Sequence, residues 1–188
     1  MGLEIMLKEL DIIEIIITDD ILDSAKHLIS NYPINKKSYM HGERHEVGGI
    51  GEIVAFNYLK TQFSHVYFSE TYDYDILVDN NEREWKVDVK TKKRTPCGLD
   101  KLLNYKGLGY EGSVQAESLE QIKKKDVDFY VFVNYTVDKI YIIGWIYKDD
   151  FISKCRKVEK NSIDETNGLL MQGENYNIYY KELNAFTK

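Results

Sequence analysis

The sequence predicts an α/β fold with three layers, α/β/α, built on a central mixed β-sheet. Three observations carry this. "DFYVFVNYT" and "KIYIIGWIY" are long runs of β-branched and aromatic residues joined across Val137 and Asp138. "ERHEVGGIGEIVAFNYLK" sets Val47, Ile50, Val54 and Tyr58 at helical spacing, with Ile53 and Phe56 widening the stripe. Between them lie three short strand candidates and one short helix, an order that suits a mixed sheet flanked by helices. With 188 residues, 43% of them hydrophobic, the chain can bury a proper core. We read residues 1–188 as one domain with its core at about 43–145, because no Gly/Ser-rich or charge-block linker divides it.

In chain order, "DIIEIIIT" predicts a first strand and residues 20–30 a helix, with Thr18, Asp19 or Asp20 available as its cap. Pro33 ends that helix. In the next helix, over 43–60, Gly48, Gly49 and Gly51 each cost about 1 kcal/mol of helix propensity relative to Ala, so a close backbone approach is expected there. "HVYFSE", "YDYDILVD" and "REWKVDVKTK" read as strands, the last two joined by hairpin-turn residues Asn80 and Asn81. "PCGLDKLLNYKGLGYEGSVQ" is Gly-rich and weakly periodic, and reads as a long functional loop. Residues 118–125 predict a short helix, 148–155 another, and "NYNIYYKEL" a last strand.

Composition excludes several classes. The net charge of -6 argues against a protein that coats nucleic acid through its overall charge, although Lys90, Lys92, Lys93, Arg94, Lys101 and Lys106 form a local basic patch against the single acid Asp100. Cys97 and Cys155 show no disulfide or zinc spacing, which fits a reducing cytoplasm. Glu4, Lys8, Glu9, Asp11 and Glu14 interrupt every apolar window near the N-terminus, so neither a membrane span nor a signal segment is expected.

The stretch "KVDVKTKKR" carries the chemistry. On a strand, Asp88 and Lys90 share one face while Val87 and Val89 point to the other. Asp75 opens the preceding strand, so a hairpin through Asn80 and Asn81 would set Asp75 beside Asp88 at one end of the sheet. Paired carboxylates suit Mg²⁺ or Mn²⁺, hard cations held by one or two carboxylates with waters and phosphate oxygens. The carbonyl of Val89, between the two key side chains, is a natural further ligand. Lys90 would supply positive charge where negative charge develops on a phosphate, and the metal would lower the pKa of the attacking water.

With these residues the sequence resembles the PD-(D/E)xK phosphodiesterase superfamily. The pattern falls on Glu52 in "GGIGEIVAFNYL", Asp75 in "YDYDILVD", and Asp88 and Lys90 in "WKVDVKTK". The resemblance covers residues 43 to about 145 and implies a restriction-endonuclease-like fold and metal-dependent hydrolysis of phosphodiesters, most often in DNA. It implies metal binding by Asp75 and Asp88, water positioning and charge stabilisation by Lys90, and a second-metal or water-orienting role for Glu52. Tyr74 stands where the family's name has Pro.

Asp73 competes with Asp75, but only Asp75 abuts "ILV", and Glu46 competes with Glu52. Lys92, Lys93 and Arg94 are candidate phosphate contacts. His41 and His45 have no third ligand nearby and read as surface or phosphate groups. Gln115 or Gln121 could orient water, as a helix Gln does in some members. Lys123, Lys124 and Lys125 are offset by Glu117, Glu120, Asp126 and Asp128 and read as an ordinary charged helix, while Tyr72, Tyr74, Tyr105 and Tyr110 read as packing residues rather than base-stacking ones. Many compact members of that superfamily are homodimers, which makes "DIIEIIIT" a candidate interface. A non-catalytic nucleic-acid-binding or assembly module on the same fold is the competing function.

Overall fold

A computed structural model describes residues 12–31, 43–71, 73–93, 111–115, 118–136, 139–164, 170–171 and 173–186. Its elements are β1 (Ile13–Ile16), α1 (Asp19–Asn31), α2 (Glu43–Gln62), β2 (His65–Phe68), β3 (Ile76–Asp79), β4 (Glu84–Lys93) and β5 (Glu111–Gln115). There follow α3 (Leu119–Lys124), β6 (Phe129–Tyr135), β7 (Lys139–Tyr147), α4 (Lys148–Lys154), β8 (Arg156–Val158), β9 (Asn175–Tyr179) and a 3₁₀ turn at Tyr180–Glu182. This is the expected α/β class. Among the described residues, no helix is long and apolar enough to cross a membrane.

Six strands form a mixed sheet in the order β1-β7-β6-β4-β3-β2, in which β4 and β6 run parallel and every other pairing is antiparallel. The β3–β4 hairpin turns where expected. Asn81 takes φ 68°, a left-handed conformation that Asn tolerates, and the Asn80 Oδ1 accepts the backbone N–H groups of Glu82 (3.1 Å) and Arg83 (2.8 Å). The parallel step from β4 to β6 requires a crossover, and α3 lies within it.

Each face of the sheet has its own core. Ala25 of α1 and Ile50, Ile53, Val54 and Leu59 of α2 bury against Val87, Val89, Val131, Val133, Ile140 and Ile142. On the other face, Tyr130, Phe132, Tyr141 and Ile143 pack with Ile122 of α3, Phe151 of α4, Val114 of β5 and Ile178 of β9. Full burial of one such side chain stabilises the fold by about 1.5–3 kcal/mol.

The expected third layer of helices is therefore shared with a second sheet, ordered β5-β9-β8. Residues 111–115, expected in the long loop, form β5 and pair with β9 from Glu111↔Tyr179 to Gln115↔Asn175. "EGSVQ" has little strand propensity of its own, and its partner "NYNIY" supplies it. The rest of that loop lies outside the described residues. Beneath this sheet Arg156 binds Glu111 through two nitrogens, at 2.8 and 3.3 Å, and Asp164 at 2.8 Å. Asn177 Nδ2 donates to both carboxylates.

The glycines of α2 show the expected close approach. A Cβ on Gly51 would stand 1.8 Å from Thr91 Oγ1 and 2.9 Å from Thr91 Cβ, and one on Gly49 would stand 2.8 Å from two atoms of Ile29. At Gly48 a Cβ would meet, among the described residues, only Glu52 Oε1, at 3.9 Å.

Candidate active site

The site forms where β3 stops short of β4. Their ladder begins at Ile76↔Val87, so beyond Val87 the edge of β4 has no β3 partner. Asp75 fills the gap: its backbone N–H donates to Val87 O at 2.8 Å, and its Oδ2 accepts the N–H of Val89 at 2.6 Å. With Ile76 paired to Val87 in the antiparallel ladder, Asp75 is thus brought opposite Asp88, and each carboxyl acts on the other's ionisation. Alternation along β4 buries Val87 and Val89 in the core under α2, while Asp88, Lys90 and Lys92 pair across to Tyr130, Phe132 and Asn134 of β6.

Asp88 is almost fully enclosed, its side chain 3% exposed, whereas that of Lys90 is 25% exposed. Lys90 Nζ donates to Asp88 Oδ1 at 2.5 Å. A second ammonium comes from outside the motif, with Lys125 Nζ 3.3 Å from Asp88 Oδ2.

Burial would raise Asp88, but the charges of Lys90 and Lys125 outweigh it and hold this carboxyl below the ordinary range. Asp75 goes the other way. Burial, then the like charges of Asp88 and Glu52, push it well above the usual carboxylate value, against the opposing pull of Lys90 and the Val89 N–H. Burial alone would lower Lys90, yet Asp88, Asp75 and Glu52 together raise it. Neighbouring carboxyls whose environments drive them apart are a feature of functional sites as well as of structural ion networks.

These contacts decide between the alternatives in the sequence. Glu52 is half-buried and its charge reaches both Asp75 and Lys90, while Glu46 is exposed. Asp75 enters the cluster and Asp73 stays exposed outside it. Among the described residues, no three His, Cys, Asp or Glu side chains converge as a metal-binding group. Asp75 and Asp88 are the pair that meets, with Glu52 felt through its charge. Lys92 is half-buried and continues the row of Asp88 and Lys90, and Lys93 is exposed. Arg94 and His41, with the side chains of His45 and Gln115, lie outside the described residues. Gln121 is exposed on α3.

Lys125 departs from the sequence reading, which placed it on a solvated helix face. Glu120 stands three residues before Lys123, which it binds at 2.7 Å, and four before Lys124. Lys125 has Ile122 and Gln121 at those spacings before it, and the nearby acids that follow, Asp126 and Asp128, are taken by Lys86 and Arg83. Tyr130 faces Asp88 across the ladder, and its hydroxyl is buried with no hydrogen-bond partner among the described residues. It packs in the core with Phe132 and Phe151, where burial, then Asp88, raises its pKa. Tyr74 also packs against this core, as expected for a packing residue.

Comparison with protein-family models, with curated proteins and with solved structures finds no significant match for this chain.

Proposed function

We propose that the chain is a metal-dependent nuclease that hydrolyses phosphodiester bonds in DNA, of the PD-(D/E)xK type with a restriction-endonuclease-like fold. The observation that carries this reading is the meeting of Asp75 and Asp88 at the open end of β4, with Lys90 beside them on the same face. The strand meander β2-β3-β4 after α2, then a helix leading to β6 parallel to β4, accords with it.

The donor set fits Mg²⁺ or Mn²⁺. Two adjacent carboxyls, one of them pushed well above the usual carboxylate value by burial and then by the like charges of Asp88 and Glu52, make a site that a divalent cation would relieve of like-charge repulsion. Asp75 and Asp88 would hold the ion, with Glu52 and the Val89 carbonyl as further oxygen donors, and the ion would supply an activated water and charge stabilisation. The protein's own part is charge and position. Lys90, partly exposed and fixed by Asp88, offers an ammonium where negative charge grows on the phosphoryl oxygens. Glu52 would accept a hydrogen bond from a water, and Lys92, continuing the row of Asp88 and Lys90, would meet the phosphate backbone, with exposed Lys93 as a further candidate contact.

One observation favours the second reading, a non-catalytic nucleic-acid-binding module: both oxygens of Asp88 already face ammonium groups. Incubation with supercoiled plasmid and with labelled single-stranded DNA in Mg²⁺, Mn²⁺ or EDTA separates the two. The nuclease reading expects cutting that needs metal and is lost in Asp88→Ala and Lys90→Ala. DNA binding without cutting, and without Mn²⁺ uptake, would establish the binding module instead.

A further inference from the structure

We propose that Lys125 is a second working lysine of this site: it holds Asp88 in the metal-free protein and passes to a backbone phosphate oxygen of bound DNA when a divalent cation takes its place. This rests on the nuclease reading and adds to it a residue outside the motif. The Lys125 ammonium lies 3.3 Å from Asp88 Oδ2, against 2.5 Å for Lys90 on Oδ1, so it is the looser of the two partners and the one to yield. Its side chain is 30% exposed, whereas that of Asp88 is 3% exposed, which places a flexible four-carbon stem at the rim of the site.

The backbone that presents Lys125 is fixed on both sides. Lys148 Nζ, at the start of α4, donates to the carbonyls of Lys125 (2.9 Å) and Lys123 (3.3 Å), closing the end of α3. Three residues on, Asp128 pairs with the backbone of Lys86 on β4 in both directions, each at 2.8 Å, and its Oδ1 takes Arg83 at 2.9 Å. Lys86 Nζ in turn binds Asp126 at 2.5 Å. The neighbouring lysines of α3 serve the surface, whereas Lys125 alone of that run is spent on the buried carboxylate. A mobile ammonium that competes with the cation for Asp88, and is released beside a polyanion, links metal entry to DNA grip.

The test uses the intact chain with Lys125→Met and Lys125→Arg, each checked for an unchanged urea midpoint. Calorimetry with Mn²⁺ alone is expected to show Lys125→Met binding about tenfold tighter, since one unit charge close to a divalent ion is worth about that factor under water-like screening. Anisotropy of labelled duplex DNA in Ca²⁺, across a NaCl series, is expected to show weaker binding for Lys125→Met and a log–log salt slope shallower by about 0.9, with Lys125→Arg restoring both. Unchanged or weaker Mn²⁺ binding by Lys125→Met, or an unchanged salt slope, overturns the role of Lys125 while leaving the nuclease reading standing. A wild-type protein that takes up no Mn²⁺ overturns both.

Discussion

Gly51→Ala is the sharpest perturbation of how α2 sits on the sheet. The new methyl would lie 1.8 Å from Thr91 Oγ1 and 2.9 Å from both Thr91 Cβ and Cγ2. Rotating Thr91 cannot clear it, because its Cβ is itself too close. Carbon atoms rest at about 3.5–4.0 Å, so α2 or β4 has to give by roughly 0.6–1 Å. Overpacking of this kind costs about 1–3 kcal/mol, less the ~1 kcal/mol that Ala gains over Gly in a helix. Glu52 is the next residue and moves with the helix, and on the proposed nuclease reading a displacement near 1 Å would cost about 10²-fold in rate. Gly49→Ala meets the side chain of Ile29 at 2.8 Å, with the Ala25 carbonyl at 3.4 Å, and should cost less because the close atoms belong to a side chain, while Gly48→Ala makes only an ordinary contact with Glu52 Oε1 at 3.9 Å among the described residues and should gain up to about 1 kcal/mol. Urea unfolding of the three variants checks this order, and nuclease assays check the effect through Glu52. Thr91→Ala in the Gly51→Ala background removes the Oγ1 and Cγ2 contacts and should restore about half of the loss. A Gly51→Ala variant as stable as Gly48→Ala would refute the close approach, and with it the claim that this contact sets the position of Glu52.

Three further outcomes follow from the two charge clusters. Asp75→Asn keeps an acceptor for the Val89 N–H but removes one of the clustered negative charges, so in metal-free buffer at pH 7–8 it should match or exceed wild type. The gain is on the order of 1 kcal/mol, the repulsion of unit charges about 4 Å apart under water-like screening, or roughly 2–4 °C in Tm, and stabilisation by Mn²⁺ should vanish; a loss above about 1 kcal/mol would make Asp75 a structural anion. For pH, the raised Asp75 means that the native state binds the extra proton, so its contribution to stability falls as pH rises from about 4 through the native pKa. Urea midpoints should show this slope in wild type and a flatter one in Asp75→Asn, and equal slopes would count against it. Arg156→Met removes the cation shared by Glu111 and Asp164, whose side chains are 3% and 0% exposed, leaving them the Asn177 amide but no counter-charge from position 156, and should cost about 3 kcal/mol, at the low end for a broken buried pair because Arg156 itself is 33% exposed. A loss below about 1 kcal/mol in urea would show that cluster to be dispensable.

The parts of this fold legible in the sequence are those whose pattern is local. "KIYIIGWIY" predicts β7 to the residue, Ser118 caps α3 through Gln121 N–H, and Thr18 O accepts the N–H groups of Ile21 and Leu22 at the start of α1. Asp75, Asp88 and Lys90 were legible because a two-residue alternation and a tight hairpin fix their relative place. What escaped depends on distant partners. β5 lacks apolar alternation and exists as a strand through β9, more than sixty residues on. β8 has three residues, too few for a period to register. Lys125 reaches Asp88 only because the crossover returns the chain to β4, and the residues within a turn of it, Asp126 and Asp128 among them, do not carry that information.

The same logic explains why the site lies where it does. A strand with a parallel neighbour on one side and an antiparallel hairpin on the other satisfies its backbone only as far as the shorter partner extends. β4 outruns β3 at Val87, and an N–H left in a nearly closed interior costs about 1–3 kcal/mol unless something accepts it. A carboxylate meets that need well, and the next side chain on the same face, Asp88, is then unavoidably its neighbour. An amide at position 75 would accept the same hydrogen bond without the repulsion. A chain selected for stability alone has that cheaper solution at hand, so the retained acid is an argument for function. The stability of Asp75→Asn, measured with and without Mn²⁺, weighs that argument directly.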